Sequence, residues 1–318
     1  MNIGRTNEQL YKKCMICPRK CGVDRTKSSR GRCGAGAEIR AARAALHMWE
    51  EPCILGTRGS GAVFFSGCPL GCIFCQNSAI SHENYGFTVT PEELADIFLR
   101  LEDEGANNIN LVTAVHFTPG VVTALEAARG RGLKIPVVYN SGGYESVSTL
   151  RLYEGLVDVY MPDLKYISPG VSYAYSGVGN YFETAKLALD EMYRQVGGAE
   201  FSDGSGATEA GIMTRGLLVR HLLLPGQIED SLEVIAYLHA HFGDDIYISI
   251  MNQYTPPQNG SLPPELRRRV TDEEYGRVVS FADKIGVKHG FIQEDGASSD
   301  RFVPEFDGTG ILPSIPEA

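Results

Sequence analysis

No stretch of the 318 residues approaches the roughly 18 consecutive apolar residues of a membrane span. The start, Met1-Asn2-Ile3-Gly4-Arg5, lacks the apolar core of a secretory leader. Both absences point to a cytoplasmic chain with no membrane partner. Basic residues are in deficit: 29 Lys and Arg face 39 Asp and Glu, a formal net charge of -10. No general positive field is therefore available to hold nucleic acid by counterion release. Cysteine is absent after residue 75, which excludes a disulfide scaffold spread along the chain. A phosphate loop is missing too, because Gly56-Thr57-Arg58-Gly59-Ser60-Gly61 precedes a predicted strand and no Gly-Lys-Ser/Thr follows. Gly142-Gly143 is too short for a dinucleotide fingerprint. With 43% hydrophobic and 21% charged residues, the composition excludes a disordered chain and suits one large domain or two smaller ones.

From residue 62 onward, short β-branched runs alternate with amphipathic stretches, the pattern of βαβ units on a parallel sheet. Strands are predicted at 62–66, 109–115, 135–140, 157–162, 217–224 and 246–251. Helices are predicted at 91–103, 121–131, 147–156, 182–195 and 230–242, with a last helix at 272–285 and a short apolar run at 290–292. Thr90-Pro91-Glu92-Glu93 is a helix start with Thr at the N-cap and Pro at the first helical position. Residues 38–48 read equally as strand or helix. The pattern gives an α/β fold, a partial (β/α)6 TIM-type barrel over 62–293. A Cys-rich metal-binding lobe at 1–61 precedes it, and a tail at 294–318, broken by Pro304, Pro313 and Pro316, is expected to pack on the surface. The runner-up is an open doubly wound sheet. Residues 197–211 read as a polar, Gly-rich loop.

All eight cysteines precede residue 76, and in a reducing compartment clustered thiols turn toward metal. Cys68, Cys72 and Cys75 form a CX3CX2C loop just after the first predicted barrel strand, at the face where barrel active sites form. Three thiolates with no fourth ligand nearby suit a 4Fe-4S cluster with one iron left open; the competing reading is a zinc knob completed by a remote ligand. Cys14, Cys17, Cys21 and Cys33 place four thiols within 20 residues, a complete second metal site for structural zinc or an auxiliary iron-sulfur cluster. Arg19, Lys20, Arg25, Lys27, Arg30 and Arg32 surround that group, as a solvated basic face or a dock for an acidic partner. Cys53 reads as a small buried hydrophobe. Polar residues stand at predicted strand ends: Thr113, Asn140, Asp163 with Lys165, and Met251 to Tyr254. In the fifth strand, alternation sends Arg220 and His221 to opposite faces.

The cysteine loop, with aromatic Phe74 before its last Cys, resembles that of the radical SAM superfamily. Further blocks resemble pyruvate formate-lyase activating enzyme relatives of the PflX type: Glu51-Pro52, the glycine-rich 56–61, Pro162-Asp163-Leu164-Lys165, Arg220-His221-Leu222-Leu223-Leu224-Pro225-Gly226 and Met251-Asn252-Gln253-Tyr254-Thr255-Pro256. The resemblance implies that Cys68, Cys72 and Cys75 hold a 4Fe-4S cluster whose open iron chelates S-adenosylmethionine, cleaved to a 5'-deoxyadenosyl radical. It also implies that Phe74, Thr113, Asn140, Asp163, Lys165 and His221 surround the cosubstrate. Many superfamily members carry Gly-Gly-Glu at the end of the second strand; this chain has Thr113-Ala114-Val115-His116, leaving the amino-group contact to Thr113 or a backbone carbonyl.

The resulting expectation is an enzyme that abstracts a hydrogen atom from a substrate, such as a glycyl-radical-type protein partner, and takes electrons from a reducing partner such as flavodoxin or ferredoxin. A peptide or small-molecule substrate is the alternative within that chemistry. A non-catalytic iron-sulfur electron carrier or redox sensor, and a zinc-bound interaction module, are the alternatives outside it.

Overall fold

The computed structural model describes residues 9–202, 211–257, 262–293 and 303–312. Most of the expected loop 197–211 and of the tail 294–318 lies outside them. The apolar runs form β1 (Ile39–His47), β2 (Ser60–Phe65), β3 (Phe87–Val89), β4 (Ile109–Val112), β5 (Val137–Ser141), β6 (Val159–Pro162), β7 (Glu200–Phe201), β8 (Met213–Leu222), β9 (Tyr247–Met251) and β10 (Gly290–Ile292). They join in one sheet in the order β10-β9-β8-β6-β5-β4-β2-β1-β3, with β7 against β8. Pairing is parallel from β2 to β10 along that path, and β1 is antiparallel to β2 and β3.

Among the parallel strands the order follows the chain without reversal, so right-handed crossovers place the connecting helices on one face. A doubly wound sheet needs a point where the order reverses. The result is a mixed α/β fold with a mostly parallel sheet, compatible with a partial barrel. The longer helices are α1 (Pro91–Asp103), α2 (Thr118–Gly130), α3 (Pro169–Ser176), α4 (Tyr181–Val196), α5 (Ile228–Phe242) and α6 (Asp272–Ile285). The helix expected at 147–156 shortens to one turn, Val147–Leu150, and a 3-10 turn, Arg151–Tyr153, because Glu154 is extended and Gly155 turns left-handed. Helix α3 was not anticipated from periodicity. None of the helices among the described residues is long and apolar enough to cross a membrane.

Strand alternation separates two cores. Val63, Phe65, Ile109, Leu111, Val137, Tyr139, Leu217 and Val219 pack under the helices. On the other face Val138, Val159, Met161 and Leu218 surround Cys53 and Ile54 of the short helix Pro52–Leu55. That helix closes the floor of the barrel, held by Asn108 Nδ2 donating to the Ile54 carbonyl at 2.7 Å and Asn107 Nδ2 to the Leu55 carbonyl at 2.6 Å. Cys53 sits there fully buried.

The ambiguous segment 38–48 is strand β1, so the sheet itself reaches back ahead of residue 61. The described part of the tail runs along β1: Gly308 N–H donates to the Ala42 carbonyl at 3.0 Å, Ala44 N–H to the Thr309 carbonyl at 2.9 Å, and Phe306 packs edge-on against Phe64.

Candidate active site

At the C-terminal ends of the parallel strands lies a cavity of about 220 Å³. Cys68, Cys72, Phe74 and Cys75 line it, together with Thr113, Asn140, Asp163 and Lys165. The loop wraps closely because β2 delivers it through Gly67, whose φ is +88° and where a Cβ would stand 2.5 Å from the Cys33 carbonyl oxygen. Past the loop, Cys75 N–H returns to the Cys72 carbonyl at 3.1 Å. All three cysteines are free thiols. Ser176 Oγ donates to Cys72 Sγ at 3.0 Å and Ser81 Oγ to Cys75 Sγ at 3.2 Å. Burial, reinforced by Cys72, pushes the Cys68 thiol up to about 12, and burial also raises Cys75. A metal group bound here therefore displaces protons from the loop.

Opposite the thiols runs a chain of charged groups from successive strand ends. Lys165 Nζ donates to Asp163 Oδ2 at 2.5 Å. Arg220, from β8, donates through Nε to Asp163 Oδ1 at 3.0 Å and through Nη2 to Asn140 Oδ1 at 2.7 Å. Its Nη1 reaches Glu50 Oε2 at 3.5 Å, and Asn110 Nδ2 donates to the other Glu50 oxygen at 2.8 Å. Burial alone would raise the Asp163 carboxyl, yet Lys165 and Arg220 hold it below its usual range. Glu50 is the opposite case. Burial outweighs Arg220 and pushes it up to about 7, with Glu51 adding to the rise. Two cations and three carboxyls thus share the interior, and the surplus favours a proton on the floor. Such a mixed row can seat both ends of an amino-acid zwitterion, a carboxylate on Lys165 or Arg220 and an ammonium on Asp163 or Glu50.

The backbone around this row is specialised. Thr113, at the end of β4, has φ +61° and donates its N–H to the Asn140 carbonyl at 2.8 Å. A β-branched residue in that region is a true outlier, of the kind found at ligand clamps. Gly143 has φ +75°, and a Cβ there would collide with the Asp163 carbonyl oxygen at 2.2 Å. The loop after β5 can approach β6 only without a side chain.

His221 departs from its expected place. Arg220 lines the cavity and His221 does not, because strand alternation puts His221 with Leu217 and Val219 on the helix-covered face. Its Nδ1 contacts the Leu164 carbonyl at 2.7 Å, its buried Nε2 has no hydrogen-bond partner among the described residues, and burial lowers it to about 4, so the ring is neutral. Of the last strand end, Met251 and Gln253 line the cavity, whereas Tyr254 is buried against Phe74 and donates to the Leu266 carbonyl. Sequence reasoning passed over Glu50 and Arg220. For Arg220 the strand parity only separated it from His221 without fixing which of the two turns inward; for Glu50 there was no signal, since its entry depends on the floor helix folding inward.

The Cys-rich lobe lies directly against this site. Cys14, Cys17 and Cys33 are buried and Cys21 is exposed. Burial raises Cys17 to about 12 and also raises Cys33, each with contributions from other thiols of the group. Two of the six surrounding basic residues are structural rather than part of a solvated face. Arg25 is 2% exposed and donates to the carbonyls of Ala35, Gly36 and His116, and each Arg19 hydrogen bond among the described residues goes to a backbone carbonyl.

Among the described residues, no three His, Cys, Asp or Glu side chains are gathered tightly enough for a single metal ion. A tetrahedral zinc with Zn–S bonds of about 2.3 Å would demand that closeness. Three free thiols around one cavity fit a larger group, and a 4Fe-4S cluster suits their number and softness.

Residues 62–197 match the family model of the Radical SAM superfamily, from within β2 through α4. An uncharacterized protein of Methanocaldococcus jannaschii, MJ0674, is 28% identical over 291 residues, covering 88% of this chain and 77% of its own. A crystal structure of Streptococcus suis SuiB bound to the precursor peptide SuiA aligns over 71% of this chain and 46% of that chain, at 12% identity and a TM-score of 0.47. SuiB bound to S-adenosylmethionine aligns over 71% of this chain and 45% of that chain, at 13% identity and a TM-score of 0.45. This chain therefore spans less than half the length of SuiB. The family match spans the stretch that carries Cys68, Cys72 and Cys75.

Proposed function

We propose that this chain is a radical SAM enzyme of the activating-enzyme type, which generates a 5'-deoxyadenosyl radical and abstracts a hydrogen atom from a glycyl-radical-type protein partner. The observation that carries the reading is the convergence of three free thiols with Asp163, Lys165 and Arg220 on one cavity. Bound there, a 4Fe-4S cluster and S-adenosylmethionine supply one-electron reductive cleavage of the sulfonium. The protein's own part is positioning. Cys68, Cys72 and Cys75 hold the cluster, Lys165 and Arg220 orient a carboxylate, Asp163 and Glu50 face an ammonium, and Phe74 with Leu70 keeps water from the loop. The rim supports a macromolecular substrate: His47 and Trp49 line the mouth, and Met48 and Trp49 are each about half exposed beside it. A low-potential flavodoxin or ferredoxin is the proposed electron donor, and a second iron-sulfur cluster, a larger group than a single zinc ion, is the proposed occupant of the lobe formed by Cys14, Cys17, Cys21 and Cys33.

The test is anaerobic reconstitution with iron and sulfide, then dithionite and S-adenosylmethionine, with 5'-deoxyadenosine quantified by mass spectrometry. The parent is expected to make it, and Cys72→Ala to fall to background, because only two thiolates of the loop remain to hold the cluster. A parent that carries a 4Fe-4S cluster but makes no product would falsify the reading and favour an electron carrier.

A further inference from the structure

Ser176, the last residue of α3, is 1% exposed and gives its hydroxyl proton to Cys72 Sγ at 3.0 Å. A serine carries one O–H, so the 2.9 Å contact between Ser176 Oγ and the Tyr166 hydroxyl is donated by the tyrosine. Tyr166 is as buried as Ser176. The Tyr166 hydroxyl also interacts directly with Cys72, so both hydroxyls polarise the thiol in a low-dielectric setting.

What fixes this pair of hydroxyls comes from the Cys-rich lobe. Arg19, between Cys17 and Cys21, donates through Nε to the Pro69 carbonyl at 2.8 Å and through Nη2 to the Leu70 carbonyl at 2.9 Å, both inside the cysteine loop. The same guanidinium donates to the Ser176 carbonyl at 2.8 Å and the Gly177 carbonyl at 2.7 Å. A fork of this rigidity can hold two strands of backbone in register, and its charge suits the C-terminus of α3. Ile73 N–H adds a bond from the loop to the Tyr175 carbonyl at 2.9 Å.

We propose that Arg19 and Ser176 are positioning residues that set the reduction potential of the cluster held by Cys68, Cys72 and Cys75. The inference rests on the proposed function. An O–H donor on a ligating sulfur stabilises the extra negative charge of the reduced cluster, so removing it makes the cluster harder to reduce. Arg19 acts through Ser176, by holding α3 against the loop.

The experiment uses the full chain reconstituted anaerobically as parent, Ser176→Ala, Ser176→Thr, Arg19→Gln and the Arg19→Gln/Ser176→Ala double variant. Iron and sulfide are counted, and the midpoint potential is read by EPR-monitored redox titration. Ser176→Ala is expected to load fully and titrate at a more negative potential, with Ser176→Thr returning toward the parent. Arg19→Gln shifts the same way, and the double variant shifts no further than Ser176→Ala alone. A fully loaded Ser176→Ala at the parent potential overturns the inference, and additive shifts in the double variant overturn the positioning role of Arg19. If Ser176→Ala does not load, Tyr166→Phe decides: it leaves the serine in place, and a smaller negative shift is expected, an unmoved potential being fatal. A parent that takes up no cluster overturns the proposed function and this inference with it. A loaded parent with unmoved variants overturns the inference alone.

Discussion

Glu145 shows how far a single residue can depart from its sequence character. The chain carries it just after Ser141-Gly142-Gly143, where a charged residue reads as loop surface, yet it is 3% exposed and its Oε2 has no hydrogen-bond partner among the described residues. Burial pushes its carboxyl up to about 8 from an ordinary 4.5, with a Ser141 hydrogen bond only partly offsetting this. Between those values the folded chain binds a proton that the unfolded chain has released. The stability it contributes is thus present at the acid end and is lost as pH rises through the window. Glu145→Gln cannot lose that proton. Urea midpoints of parent and variant, measured from about pH 5 to about pH 8, should diverge with rising pH in the variant's favour; a constant difference would remove Glu145 as the proton carrier. The charge it would carry is felt by the buried Tyr139 and Tyr153, whose hydroxyls it raises further.

At the scale of elements, helix ends were the most legible features. Thr90 accepts from the Glu93 N–H at 3.2 Å, and Glu93 accepts from the Thr90 N–H at 2.7 Å, a complete capping box ahead of α1. Thr90→Ala is expected to cost about 1 kcal/mol, read as a lower urea midpoint with an unchanged slope. Full stability in that variant would mean the box is redundant with the packing of Leu94, Phe98 and Leu101. The box is local in sequence, so it could be read there. The helix ending at 153 rather than 156 was harder to read, since Gly155 sets the stop while the apolar spacing continues to Leu156 and Val157. Helix α3 lacks a long apolar stripe, and its value lies in where its end is delivered, beside Cys72.

Across the whole molecule, the Cys-rich lobe and the barrel are joined by a few buried side chains, and Arg25 is the largest of them. Its guanidinium donates to the Gly36 carbonyl at 2.5 Å and the His116 carbonyl at 2.7 Å and lies 4.6 Å from the Tyr11 ring centre. Arg25→Met keeps the volume and strips the donors, leaving buried carbonyls unpaired at a cost of about 3 kcal/mol. Chemical denaturation should show that loss, and hydrogen exchange should show lost protection around residues 11–37; an unaltered exchange pattern would mean the lobe is held by other contacts. The sequence by itself determined the βα alternation, the three-thiol loop at a strand end and the polar residues Thr113, Asn140, Asp163 and Lys165 facing one cavity, because each is written in spacing over a few residues. Tertiary structure alone decided that β1 joins the sheet and that Glu50 enters through the barrel floor. It also decided that Arg220 rather than His221 faces the thiols, and that Arg19 spans two cysteine groups about 50 residues apart. Those outcomes depend on which face each strand turns inward and on carbonyls supplied by distant segments, and neither is encoded in local periodicity.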